Sequence, residues 1–153
     1  MAISFKSVGK TIETLQKESL KETPTPIGIK TPLRVGENSE GLFAMHFSLA
    51  DQIHDNLRNL ILTNWGERLG SYDFGANLKE LTTEYASRED FDNEAVVRIN
   101  SAVSKWMPFV SLNEFEPQLD QENAGNYVRF KITYDIPILN VVNKALEIVL
   151  RII

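Results

Sequence analysis

The side chains that could do chemistry in this 153-residue chain are few, and their spacing argues against most of it. Glu67, Asp73, Glu114 and Glu116 flank loops, and two such carboxylates held close together can serve as acid and base on a glycosidic bond. Among 21 acidic residues, however, neighbouring carboxylates arise by chance. No aromatic-rich sugar-binding stretch accompanies them, and none sits in the apolar context that raises a general acid's pKa. His46 and His54 stand eight positions apart, which misses the i, i+3 and i, i+4 spacings that put two imidazoles on one metal. With no cysteine there is no thiolate nucleophile, disulfide or thiolate metal site. Ser101 and Ser104 fall inside a helical pattern, not on a glycine-flanked elbow, and GERLGSYDFG lacks the Lys-Ser/Thr ending of a phosphate loop. The expectation is no catalytic residue, no metal, no cofactor and no small-molecule substrate.

The elements that must position these residues follow from hydrophobic period. Ser48 can cap a helix whose apolar residues Leu49, Ile53, Leu57, Leu60 and Ile61 share one face, with Gly66 as its left-handed end. After the loop WGERLGSYDFG, a short helix over 77–86 turns Leu78 and Leu81 inward. A third helix starts after Asp90 or Asp92, buries Val96, Ile99, Val103 and Trp106, and stops at Pro108. Trp65 and Trp106 read as core anchors at helix ends. Met107 and Phe109, flanking Pro108 where helix gives way to strand, could point outward as an interface.

Strands follow. After a segment near 110–115, Val128, Phe130, Ile132, Tyr134 and Ile136 alternate with Arg129, Lys131, Thr133 and Asp135, a period of two. The tail fits a helical stripe (Val142, Ala145, Leu146, Val149, Leu150) and a strand face (Leu146, Ile148, Leu150, Ile152). Its β-branched content and the turn residues Pro137, Asn140 and Asn143 favour a strand closing a hairpin. The fold class is α+β, about three helices on one face of a small antiparallel sheet with a C-terminal β-hairpin. Should the last strand lie at an edge, its unpaired backbone groups invite another strand, and Lys144, Glu147 and Arg151 protect it sparsely.

Residues 1–40 read as an extended or flexible arm ahead of a domain over 41–153. Pro24, Pro26 and Pro32 with Gly28 and Gly36 deny its stretch 23–40 a regular helix or central strand, although Val8, Ile12 and Leu15 could give the arm one weakly amphipathic helix. Residues 1–32 carry five lysines against three glutamates, while 33–153 carry 11 basic and 18 acidic residues. An acidic body repels phosphate backbones, so no nucleic-acid partner is expected, and no apolar run is long enough to span a membrane.

The stretch NLRNLILTNWGERLGSYDFGANLKEL, residues 56–81, resembles the signature of the phage baseplate wedge family that includes the T-even sheath initiator and the type VI secretion baseplate subunit. The matching positions are Thr63, Gly66, Glu67, Arg68, Phe74, Gly75 and Leu78, and a looser likeness runs over 48–153. The resemblance implies a structural virion component without independent activity. It would be assembled in the host cytoplasm, present in six copies around the tail tube, and bound to other baseplate wedge proteins and the tail sheath protein. Relatives carry Glu-Pro-Arg after the third helix to engage a helical bundle, and this chain has Met107-Pro108-Phe109 there. The family's terminal hairpin offers strands to the sheath, which assigns sheath contact to Lys144, Glu147, Val149 and Arg151. Two alternatives stay open: a peptidoglycan-cleaving, lysozyme-like enzyme using Glu67 with Asp73, and a baseplate adaptor of a bacterial contractile secretion system.

Overall fold

The computed structural model describes residues 25–36, 41–84, 88–118 and 127–151. The element order is β1 (Gly28–Ile29), β2 (Met45–His46), α1 (Leu49–Leu62), α2 (Leu78–Glu84), α3 (Arg88–Trp106), β3 (Ser111–Gln118), β4 (Tyr127–Ile136), a single 3₁₀ turn (Pro137–Leu139) and β5 (Val141–Arg151). Strands β3, β4 and β5 form an antiparallel sheet in that order, with β4 central. The helices pack on one face, α1 against β5 and α3 against β3. The α+β architecture expected from the sequence is the one observed.

The central strand shows why. Val128, Phe130, Ile132, Tyr134 and Ile136 are all buried while their neighbours reach the outer face, so period-two patterning converts directly into one buried side. Each such side chain contributes about 1.5–3 kcal/mol of gross burial. A charge at Ile132, which is 1% exposed, would meet the centre of this layer. Phe115 of β3 stacks on Phe130 with ring centroids 4.8 Å apart, carrying the core onto the neighbouring strand.

The tail is a strand, as its β-branched content argued, with Leu146 and Ile148 buried and Leu150 half-buried. Asn140 ends the 3₁₀ turn at φ 53°, and Asn143, also at φ 53°, marks an irregularity opposite Tyr134–Ile136 where the register shifts. The Asp135 carboxylate accepts the Asn143 N–H at 2.7 Å.

Three helix readings need correction. Helix α1 ends at Leu62, not at Gly66, because Thr63 turns to extended backbone (φ −80°, ψ 135°). Gly66 (φ 83°) serves a later turn, donating its N–H to Tyr72 O at 2.7 Å. Ser48 occupies the N-cap position without a side-chain capping bond, and Leu49 is exposed instead of joining the buried stripe. Helix α3 begins at Arg88, upstream of the expected start, and its buried stripe is Phe91, Ala95, Ile99, Ala102 and Val103. Val96 and Trp106 are only half-buried.

Ahead of α1, β1 pairs antiparallel with β2 and Val35 bridges to Phe43. This small hairpin is tied to α1 through Asp55, whose Oδ2 accepts the Thr31 N–H at 2.8 Å and lies 2.7 Å from His46 Nε2. The weakly amphipathic helix expected at Val8, Ile12 and Leu15 lies outside the described residues, as does Ile152 of the expected strand face.

Candidate functional site

The segment 63–77 between α1 and α2 is held by backbone bonds across its base. Ala76 N–H donates to Leu60 O and Asn77 N–H to Thr63 O, each at 3.3 Å. Gly75, at φ 114°, lies so close to the Thr63 carbonyl that any Cβ would collide with it. Thr63 Oγ1 donates back to Asn59 O at 2.5 Å, and the Trp65 indole N–H reaches Gly75 O at 3.1 Å. Glu67 closes the first turn by accepting from Asn64 N at 2.8 Å and Asn64 Nδ2 at 2.9 Å. These two bonds hold its carboxyl below the ordinary value.

On this frame the exposed Arg68 lies over Phe74, which is half-buried against the core. The guanidinium lies 4.2 Å from the Phe74 ring centroid, and Phe74 meets Trp106 edge-on at 5.2 Å. They line a groove of about 660 Å³ with Thr63, Glu67, Met107 and Phe109. Thus two residue sets far apart in sequence, the 63–75 motif and the 107–109 segment, share one surface. Leu78, 1% exposed, is core beneath the loop.

Within the Met-Pro-Phe segment, Phe109 and Pro108 are exposed, but Met107 is 6% exposed and packs inward, contrary to the outward reading. Trp65 is not a core anchor either, being 49% exposed, and Trp106 is half-buried at the groove wall. Sequence reasoning passed over Arg98. It donates to Asn77 O at 3.1 Å, Glu80 Oε2 at 2.9 Å and Glu94 Oε1 at 3.2 Å, and lies 5.8 Å from the Trp65 ring centroid. Burial opposes its charge, but the Glu80 and Glu94 carboxylates outweigh that and raise its pKa. Only its i, i+4 relation to Glu94 was legible.

The second surface is the β5 edge. Among the described residues β5 pairs with β4 alone. Glu147, Val149 and Arg151 are exposed on the outer face of the sheet. Lys144 differs from them: its Nζ is turned to the helix side, 2.7 Å from Asp51 Oδ1.

As an acid–base pair, Glu67 and Asp73 are poorly placed chemically. Asp73 is paired with Lys105 on α3, which lowers its pKa as the Asn64 bonds lower that of Glu67. Glu114 and Glu116 lie on edge strand β3, and Glu116 pairs with Lys131 at 3.4 Å. Every described carboxylate with a resolved shift (Asp51, Asp55, Glu67, Asp73, Asp135) lies below its ordinary value, the reverse of a general acid's requirement. His46 and His54 go to different partners, Asp55 and the Tyr134 hydroxyl, each at 2.7 Å. Among the described residues no cluster of His, Asp and Glu is arranged to hold a metal ion.

No family model and no curated protein matches this sequence. Solved structures do match. A chain of the anti-feeding prophage baseplate, determined with 6-fold symmetry, superposes with a TM-score of 0.59 at 20% identity over 77% of this chain and 90% of that one. A candidate tail lysozyme from Geobacter sulfurreducens superposes with a TM-score of 0.54 at 19% identity over 68% and 89%. The protein has the fold these two share, that of a prophage baseplate chain and a tail-lysozyme-like chain.

Proposed function

We propose that the protein is a structural wedge subunit of a contractile-tail baseplate, sited in the virion at the tail end and present in six copies. In this reading the groove of Arg68, Phe74 and Phe109 receives another wedge protein, and the free edge of β5 accepts strands of the sheath protein. The observation that carries it is that, among the described residues, β5 pairs with β4 alone, and an edge strand of this length is an association site. The shared fold with a baseplate chain supports the same assignment. The 6-fold symmetry of that assembly motivates the copy number. Residues 1–40 lead into the wedge domain as an arm whose described part, 25–36, is fastened to that domain by the pairing of β1 with β2 and by the Thr31–Asp55 bond.

An enzymatic reading has the candidate tail lysozyme in its favour. The low pKa values of Glu67 and Asp73 weigh against it, so the proposal is that the chain cleaves nothing. Mass spectrometry of purified tail particles tests the assignment directly: the chain should be present in a fixed ratio to the sheath, and its absence would remove the reading. Turbidity loss of cell walls treated with the pure protein, abolished by Glu67→Gln, would instead establish the enzyme.

A further inference from the structure

We infer that docking on β5 is confined to Leu146–Arg151, and that the segment received there carries a large apolar residue opposite Leu150 with a carboxylate opposite Arg151. This rests on the reading that β5 takes a strand, and it specifies which strand.

The two halves of β5 are unlike. In the first, Asn143 sits at φ 53° beside the register shift, and its N–H is already taken by Asp135. Lys144 follows with its ammonium drawn inward to Asp51 and to Ala50 O at 3.3 Å. A left-handed residue and an inward charge both blunt an edge. From Ala145 to Arg151 the register against β4 is unbroken, running from Thr133 to Tyr127. Only this stretch offers a straight template.

Beside it lies a groove of about 630 Å³, walled by Leu62 at the end of α1, by Leu78, Lys79 and Thr82 of α2, and by Val149–Arg151. A fourth strand would lie about 4.7–4.9 Å beyond β5, beneath these helices, and every second side chain would point into that space. The residue opposite Leu150 enters this space beside Leu62, which is 38% exposed. An apolar side chain there covers surface that is otherwise wet. On the opposite, outer face of the sheet the position next to Leu150 is the exposed Arg151, and the residue of an added strand opposite it shares that face. A carboxylate on the incoming strand is therefore the complementary partner.

The test is a nitrogen-15 NMR titration of the full chain with short acetylated peptides of alternating threonine and valine. One contains a Leu-Glu pair, a second has Lys in place of that Glu, and a third has Ser in place of that Leu. The expected result is shifts confined to the amides of 146–151, with the Leu-Glu peptide tighter than either control by about fivefold or more. Arg151→Glu should transfer the preference to the Lys peptide. Equal binding of all three at 146–151 would overturn the side-chain preference and leave strand addition standing. No response at 146–151 to any peptide would overturn both. Concentration-dependent shifts there without peptide would make a second copy the occupant and overturn the inference.

Discussion

Lys144 and Asp51 are joined at 2.7 Å, so the start of the last strand is fastened to the first turn of α1 by a charge pair on the helix side of the sheet. The bond from Lys144 is the chief cause that holds the Asp51 carboxyl below its ordinary value. Asp51 is 57% exposed, which limits the stabilisation to about 0–1 kcal/mol. Lys144→Met should accordingly lower global stability by less than about 1 kcal/mol in urea unfolding. It should nevertheless speed amide exchange over 141–145, and unchanged exchange there would contradict the fastening.

Gly75→Ala should be severe. It combines φ 114° with a collision against the Thr63 carbonyl, and a loss of about 3 kcal/mol or more is expected from strain plus displaced backbone. Gly70→Ala at φ 78° meets nothing nearby and should cost about 1 kcal/mol. Thermal melts of the two variants, compared with the parent, measure the difference.

Asp55 makes the hairpin acid-sensitive. Burial alone would raise its carboxyl, but the bonds from Thr31 N–H and His46 outweigh it and depress the pKa below 3.8. A depressed carboxylate contributes stability that is complete above its unfolded value and is lost as pH falls through the folded one. His54, pushed below 6.5 chiefly by burial, acts in the same direction, because the unfolded chain takes up that proton first. Stability should therefore decline as pH drops below about 6.5 and again below 3.8. Asp55→Ala should shrink the lower step, to which Asp51, Glu67, Asp73 and Asp135 also contribute, and cost about 1–3 kcal/mol at neutral pH by stranding the Thr31 N–H. Equilibrium unfolding at a series of pH values reads both effects.

Phe109 and Met107 should separate function from stability. Phe109→Glu places a charge at an exposed groove position and should leave the melting temperature nearly unchanged while excluding the chain from assembled baseplates. Met107→Ala removes a buried side chain and should cost about 2–5 kcal/mol instead. Immunoblots of purified particles alongside thermal melts distinguish the two.

Much of the architecture was readable from local pattern. Alternation over 128–136 determined β4, and β-branched residues with Pro137 and Asn140 determined the final hairpin. The end of α1 was misread because Gly66 is a plausible cap, whereas the stop comes at Thr63, just before Asn64 is bound by Glu67. The inward turn of Lys144 was available in principle, since it has the same parity as Leu146, Ile148 and Leu150, although the sequence groups it with the charges Glu147 and Arg151 along the edge. The burial of Met107, the exposure of Trp65 and the meeting of Arg68 and Phe74 with Phe109 in one groove depend on how α3 crosses the loop. No local period encodes that crossing.

The most direct measurement is electron microscopy of tails assembled with the double variant Val149→Asp, Arg151→Glu, both exposed positions on β5. Baseplates that contain the variant at the normal level but bear bare tubes are expected. Tails sheathed as in the parent, with the variant present in the baseplate, would contradict the role assigned to this edge.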